Sequence, residues 1–141
     1  MTYLHLPAGR EPPVLGGVGR FRAVLVLRQT VTDEWQTLIS DWLVRSGCLY
    51  MMAWGVGCSS WDDSVDWANR SVSEVGEVPD DQFVMTTWHD SEPLSETLWF
   101  AAHTAHHPTM MLKDLVIIDI GPEARERELL DAYAVALADA D

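Results

Sequence analysis

Four short apolar runs alternate with segments of helical periodicity, and this alternation constrains the fold more than any other feature of the chain. The runs are FRAVLVLR (21–28), CLYMMAW (48–54), QFVMTTW (82–88) and DLVIIDI (114–120). Such runs are typical of parallel strands buried on both faces, and the stripes between them indicate helices. The order β-α, repeated four times, predicts a single-domain, three-layer α/β/α sandwich with a four-stranded parallel sheet, Rossmann- or flavodoxin-like.

The helical segments are bounded by residues that commonly cap or break helices. Gly47 suits the residue after the first helix, Ser60 the N-cap of the second, and Pro93 and Pro108 the two ends of the third. The fourth helix is expected to start at about Pro122. Its buried stripe is expected to comprise Leu130, Tyr133, Ala134 and Leu137.

The first part of the chain differs in composition from the rest. Residues 1–19 contain three prolines and four glycines, which predicts an N-terminal arm ahead of a single α/β domain at 20–141. The chain has no run of ~18 apolar residues that would span a membrane. It begins with neither the basic start nor the apolar stretch of a secretory signal. We therefore expect a cytoplasmic protein.

The two cysteines, Cys48 and Cys58, are expected to be free thiols. If the second apolar run is one strand, the cysteines lie near its opposite ends, because a strand rises about 3.3 Å per residue. That separation exceeds the ~7 Å limit for a disulfide.

Strand order decides where a ligand crevice would lie. With the four predicted strands numbered along the chain, the order 3-2-1-4 places the crevice between Arg28 and residues 119–121. The order 2-1-3-4 places it between Arg28 and residues 87–89. The first two runs are the most continuously apolar, which favours 3-2-1-4 with those strands at the centre, and 2-1-3-4 remains the alternative.

The stretch CSSWDDSVDW (58–67) is dense in polar and aromatic residues, and most of it is explained by a helix start. Ser60 and Asp63 have capping-box spacing, and Asp62 and Asp63 would lie in the first turn, where the helix dipole favours acids. Asp66 is expected to pair with Arg70. A phosphate loop at Gly55-x-Gly57 is excluded, since no Lys or Arg lies between residues 48 and 70.

Acidic residues follow all four predicted strands. We call the following seven the acidic rim: Asp33, Glu34, Asp62, Asp63, Asp90, Glu92 and Glu123. Parallel strands place all these junctions at one edge, and no Lys or Arg is expected in the junctions after Arg28. First turns of helices are acid-rich in general, so capping alone is the alternative explanation. The candidate binding residues at this edge are Asp33, Glu34, Cys58, Ser59, Asp62, Asp63, Trp67, Thr87, Trp88, His89, Asp90, Glu92 and Asp119.

Other residues suggest chemistry only weakly. His103 and His107 in HTAHH have zinc-ligand spacing on a helix, but helix ends favour histidine for its charge, so no metal and no cofactor are predicted. His89 could join Ser59 or Ser60 and Asp90 in a serine-hydrolase group, or act on Cys58. Neither group has a supporting motif.

Asp119 interrupts an apolar row near the end of the fourth predicted strand. It is either an acid that reaches water from an edge strand or an acid in a pocket, and the edge-strand interpretation is favoured.

The stretches SDWLVRSGCLYMMAWG, CSSWDDSVDWAN and MTTWHDSEPLSETLWF resemble a family of short bacterial α/β proteins described as a domain of unknown function. The resemblance covers the chain from about Tyr3 onward. It implies a single-domain fold and a bacterial cytoplasmic origin, and it supplies no catalytic residues.

Charge and tryptophan content suggest a function. The net charge is −13, from 22 acids against 9 Lys and Arg, and the chain has seven tryptophans. Such a surface repels nucleic acid and attracts basic partners, and tryptophans anchor interfaces. We therefore expect a non-enzymatic binding or inhibitor module that acts on a basic protein partner, as immunity or defence proteins do. The alternative is a small enzyme or small-ligand domain that uses the crevice at the carboxyl edge of the sheet.

Overall fold

The structure is a computed structural model, and it describes residues 1–72 and 77–139. In this part of the chain the central sheet has five strands, all of them parallel. Its order is β1-β5-β2-β3-β4. The strands are β1 (Thr2–His5), β2 (Phe21–Leu27), β3 (Cys48–Gly55), β4 (Met85–His89) and β5 (Asp114–Ile120). The helices in the described part of the chain are α1 (Asp33–Ser46), α2 (Cys58–Val72), α3 (Leu94–His103) and α4 (Glu126–Ala138). A short 3₁₀ turn lies at Asp80–Gln82.

The α/β class and the single parallel sheet are confirmed, but the predicted count of four strands is wrong. The four predicted strands are present in the order 3-2-1-4, so the alternative 2-1-3-4 is wrong. The fifth strand, β1, comes from the predicted arm and pairs with β5 from Thr2–Val116 to His5–Asp119. It is four residues long and precedes the first proline, so the loop composition of the arm as a whole concealed it.

The two faces of the sheet are covered by different helix pairs. Alternation along β2 sends Leu25 and Leu27 towards α1 and α2, and Val24 and Val26 towards α3 and α4. Strands β2, β3 and β5 are buried almost throughout. Each fully buried aliphatic side chain of this kind contributes about 1.5–3 kcal/mol to folding, so these three strands form the core that positions the loops.

The helix ends agree with the sequence for α1 and for the start of α3, which Pro93 directly precedes, and the other predicted ends differ. Thr32 caps α1 by accepting a hydrogen bond from Trp35 N, and Gly47 ends it with φ 107°. Helix α2 begins at Cys58, so Ser60 lies inside it and is not its N-cap. The Ser60 Oγ donates to Gly57 O and accepts from Gln36 of α1, so it does not form the predicted capping box with Asp63.

The last two helices start or stop at other residues than predicted. Helix α3 ends at His103 and does not continue to Pro108, and α4 starts at Glu126 and not near Pro122. The prediction of the buried face of α4 was also wrong, and of the predicted residues only Tyr133 is buried. The segment is apolar at almost every position from 129 to 138, so helical periodicity could not identify its inner face. The fully buried residues are Leu129, Tyr133 and Ala136.

The rest of the N-terminal arm packs on α1. Trp35 Nε1 donates to Arg10 O and Trp42 Nε1 donates to Pro13 O, both at 2.8 Å. Leu6 is buried in the core. The arm is therefore held as part of the folded unit.

Both cysteines are buried free thiols. Cys48 starts β3 and Cys58 starts α2, so the length of β3 separates them. Burial raises the pKa of Cys48 to about 12. None of the helices in the described residues is long and apolar enough to cross a membrane.

Candidate functional site

The strand-to-helix junctions all open at the carboxyl edge of the sheet, where the acidic rim was predicted. Five of its seven side chains are exposed: Asp33, Glu34, Asp63, Asp90 and Glu123. The other two turn inward, since Asp62 is buried and Glu92 accepts a hydrogen bond from His89. The rim is therefore not one continuous row of exposed acids.

A basic residue also lies in the last junction. Because α4 begins at Glu126, Arg125 remains in the junction, where its guanidinium is 3.4 Å from Glu128. The expectation that the junctions after Arg28 lack Lys and Arg is therefore wrong. Arg28 and Arg125 accompany the acids at the β5 end of the edge, and the acids concentrate at the β4 end.

Asp119 lies in the interior of the sheet, and the favoured edge-strand interpretation is wrong. Strand β5 is flanked by β1 and β2, and the Asp119 side chain is 0 % exposed. Its Oδ1 accepts from Arg28 Nε at 3.2 Å, and its Oδ2 accepts from Tyr3 OH at 2.7 Å and from Arg125 N at 3.2 Å. A buried carboxylate with this many donors links β1, β2 and the start of α4.

The crevice predicted between β2 and β5 is filled by the protein's own side chains. Arg28 lies over Gly121, where an added Cβ would be 3.2 Å from Arg28 Cβ and Cδ. Burial raises the pKa of Tyr3 to about 12, and its hydrogen bond to Asp119 adds to the increase while the Arg125 amide opposes it. The residues that fill this crevice therefore stabilise the fold and leave no room for a ligand.

Gly55 also has a structural explanation. It has φ 105°, and an added Cβ would lie 2.2 Å from Leu27 O. Leu27 O accepts from Val56 N at 2.9 Å, so the glycine at position 55 allows the backbones of β2 and β3 to approach closely.

Edge strand β4 carries polar side chains on both faces, and the face towards α2 collects carboxylates. Thr86 Oγ1 donates to Asp66 Oδ1 at 2.8 Å, and no ion pair among the described residues joins Asp66 to Arg70 as predicted. Asp62 lies one helical turn before Asp66. Burial raises the pKa of Asp62, the charges of Asp66 and Asp63 add to the increase, and Thr86 opposes it. Its Oδ1 is buried and has no hydrogen-bond partner within the described part of the chain.

Two exposed tryptophans lie on the two elements, α2 and β4, that the hydrogen bond between Asp66 and Thr86 joins. Trp67 follows Asp63 by one turn of α2 and is 68 % exposed, and Trp88 follows Thr86 on the same face of β4 and is 49 % exposed. We call the following set the α2–β4 corner: Asp62, Asp63, Asp66, Trp67, Thr86 and Trp88. It combines aromatic surface with negative charge at an open edge of the sheet.

The other face of β4 carries a hydroxyl–imidazole–carboxylate chain. Thr87 Oγ1 is 2.8 Å from His89 Nε2, and His89 Nδ1 is 2.8 Å from Glu92 Oε1. Nδ1 donates to the carboxylate, and in the tautomer that carries its proton on Nδ1 the Nε2 atom accepts from the hydroxyl. The chain therefore fixes the orientation and the tautomer of a buried histidine.

The turn after β4 brings Glu92 back to His89. Ser91 between them has φ 61°, which is rare for a residue with a side chain. Trp54 Nε1 donates to Glu92 O at 2.8 Å, and the Phe100 ring meets the His89 ring edge-on at 5.1 Å. His89 thus holds the Glu92 carboxylate, Trp54 holds the Glu92 backbone, and Phe100 packs against the His89 ring.

The structure does not assemble the nucleophile groups considered from the sequence. Cys58 packs in the core on the α1–α2 side of the sheet, whereas His89 faces α3. Ser59 is exposed on α2 and Asp90 is exposed beyond β4. The partners of His89 are Thr87 and Glu92 instead.

Sequence reasoning missed a groove beside His89, between α3 and α4. Its volume is about 640 Å³, and we call it the α3–α4 groove. It is lined by His89, Glu92, Ser95, Glu96, Trp99, Phe100, Ala132, Val135, Ala136 and Asp139. The lining residues recur at helical spacing, at 96, 99 and 100 on α3 and at 132, 135 and 136 on α4, but the apolar residues on the other sides of α4 concealed this pattern.

Two of the three histidines of HTAHH form hydrogen bonds with backbone carbonyls. His103 Nε2 donates to Ala136 O at 2.8 Å, and His107 Nε2 donates to Phe83 O at 2.7 Å. His107 follows the end of α3, so the two rings do not share a helix face. Within the described residues no group of three or more His, Cys, Asp or Glu side chains is placed to hold a metal ion.

Comparison with known proteins places the chain in a family without assigning a function. No curated protein and no solved structure matches it. A family model does match, over residues 1–136, which is nearly the whole chain. The chain therefore belongs to the family described as a domain of unknown function, DUF7684.

Proposed function

We propose that the protein is a non-enzymatic binding or inhibitor module that holds a basic protein partner at the α2–β4 corner. The observation that carries this proposal is that Trp67 and Trp88 are both exposed on the two elements, α2 and β4, that the hydrogen bond between Thr86 and Asp66 joins. Tryptophan is enriched among the residues that dominate interface energies. The proposal includes a bacterial cytoplasmic setting, such as an immunity or defence system.

Charge supports a basic partner over other classes. The net charge of −13 disfavours contact with the phosphates of nucleic acid and steers cationic surfaces towards the protein. Asp63 is exposed beside Trp67, so an arginine of the partner would meet a carboxylate and an aromatic face together. Arginine is the cation best suited to both contacts.

The open edge of β4 supports a protein partner in particular. Strand β4 pairs with β3 on one side only, so half of its backbone groups point away from the sheet. A partner strand would satisfy them, with specificity supplied by Trp88 and its neighbours.

Affinity capture from the native host tests the proposal with matched variants. Wild type should retain one stoichiometric basic protein. Trp67→Ala with Trp88→Ala should weaken its binding by about tenfold or more. Asp63→Asn with Asp66→Asn should slow association and flatten its salt dependence.

The control is Asp33→Asn with Glu34→Gln, which removes two charges from the same edge but away from the corner. Equal loss of binding in this control would mean that net charge, and not the corner, is responsible. Full binding by the tryptophan double variant would refute the proposal.

A further inference from the structure

We infer that the α3–α4 groove is a binding site for a small organic amine, an apolar body that carries a protonated nitrogen. The inference is independent of the proposed function. The groove lies on the opposite face of the sheet from the α2–β4 corner, so either site can fail without the other.

The shape of the groove fits a small molecule. Its volume of about 640 Å³ lies within the range of small-ligand sites, ~300–1,000 Å³. Its walls are largely apolar, with Trp99 and Phe100 on α3 facing Ala132 and Val135 on α4. Val135 is 72 % exposed, so the groove leaves a large aliphatic side chain uncovered in the middle of a helix.

The negative charge of the groove favours a cationic ligand. Its ionisable lining residues in the described chain are Glu92, Glu96, Asp139 and His89, and Lys and Arg are absent from the lining. An ammonium group would be attracted to the carboxylates, while the neighbouring aromatic faces favour cations further. An anionic ligand of the same size would meet repulsion.

The polar end of the groove is already organised. His89 is buried and holds Glu92 Oε1 at 2.8 Å, and Trp54 Nε1 fixes the Glu92 backbone. A carboxylate held in this way loses little freedom when it binds an ammonium group. We therefore place the ligand nitrogen beside Glu92 and Glu96, and the ligand body against Trp99 and Phe100.

Calorimetric titration with 2-phenylethylamine and its neutral analogue 2-phenylethanol tests the inference. The amine should bind about tenfold more tightly than the alcohol, because only the amine gains the charged contacts. Glu96→Gln should weaken amine binding by about fivefold and leave the alcohol unchanged. Equal affinity for the two compounds, or no heat from either, would overturn the inference.

A pair of variants on one helix locates the site. Val135→Lys puts a cation into the groove and should abolish amine binding. Leu137→Lys makes the same change at another exposed position of α4, outside the lining, and should bind the amine almost as wild type does. Both positions are exposed, so both variants should fold. If the two variants behave alike, the amine does not bind in the groove.

Discussion

Arg28 Nε and Asp119 Oδ1 lie 3.2 Å apart at the point where the sheet changes its direction of winding, with Asp119 completely buried. In doubly wound sheets this point commonly receives a ligand. Here the pair occupies it, and Tyr3 from β1 completes the network. The α3–α4 groove, of about 640 Å³, lies instead beside β4.

Loss of the Asp119 carboxylate should destabilise the fold strongly. Asp119→Asn weakens the contacts to Arg28, Tyr3 and the Arg125 amide, and we expect a loss of about 2–4 kcal/mol in urea unfolding. Tyr3→Phe removes the hydrogen bond that the hydroxyl donates to Asp119 and the one that it accepts from the Arg125 amide, and should cost about 1–2 kcal/mol. Similar small effects for both variants would show that the network contributes little.

Asp62 should make the protein more stable as the pH falls. Its pKa is raised in the folded state, mainly by burial, so the folded state binds the proton more tightly than the unfolded state does. The cost of its ionised form is present at neutral pH and is lost as pH falls through the raised pKa. Asp62→Asn should therefore stabilise the protein by about 1 kcal/mol at pH 7, with less gain in mild acid.

The control for this experiment is Asp63→Asn, at the exposed neighbouring position. It should change the free energy of unfolding by less than about 0.5 kcal/mol at pH 7. A destabilised Asp62→Asn protein would mean that the carboxylate is a favourable partner in the folded state.

Gly55→Ala should disrupt the contact between β2 and β3. The new Cβ would lie 2.2 Å from Leu27 O, and the residue would have to keep φ 105°. The left-handed conformation alone costs about 1–2 kcal/mol, and the backbone clash adds to it. Gly9→Ala is the matched control, since Gly9 has φ 82° and open space around it. Equal shifts in thermal unfolding would mean that the clash is relieved cheaply.

The HTAHH histidines should bind no structural metal. His103 and His107 each donate a ring N–H to a backbone carbonyl, so their Nε2 atoms are engaged. Elemental analysis of protein purified without a histidine tag should find no stoichiometric zinc. Zinc that is lost in the variant His103→Ala with His107→Ala would contradict this expectation.

The sequence predicted the parts of the fold that depend on burial. Strands β2, β3 and β5 are continuously apolar, and their runs indicated both a parallel sheet and the order of the four predicted strands. Strand β1 carries no such signal, because it is short and lies at the sheet edge. The error at Asp119 followed, since without β1 the strand that carries Asp119 would be at the edge.

The candidate sites were only partly predictable. Thr87, His89 and Glu92 were all among the predicted site residues, but their connection depends on a positive φ at Ser91, which nothing in the residue type demands. The α3–α4 groove was missed because α4 is apolar on several sides. Its outer surface therefore could not be distinguished from its core surface by periodicity.

The position of β5 between β1 and β2 has a consequence for how the protein is made. A nascent chain that has reached only residue 113 already contains both neighbours of β5, yet β1 has nothing to pair with. The sheet is completed only when a late segment inserts between two early ones, and contacts so distant in sequence slow folding. Until then the partly made protein exposes the unpaired backbone edge of β2, and we expect it to aggregate more readily than the complete chain.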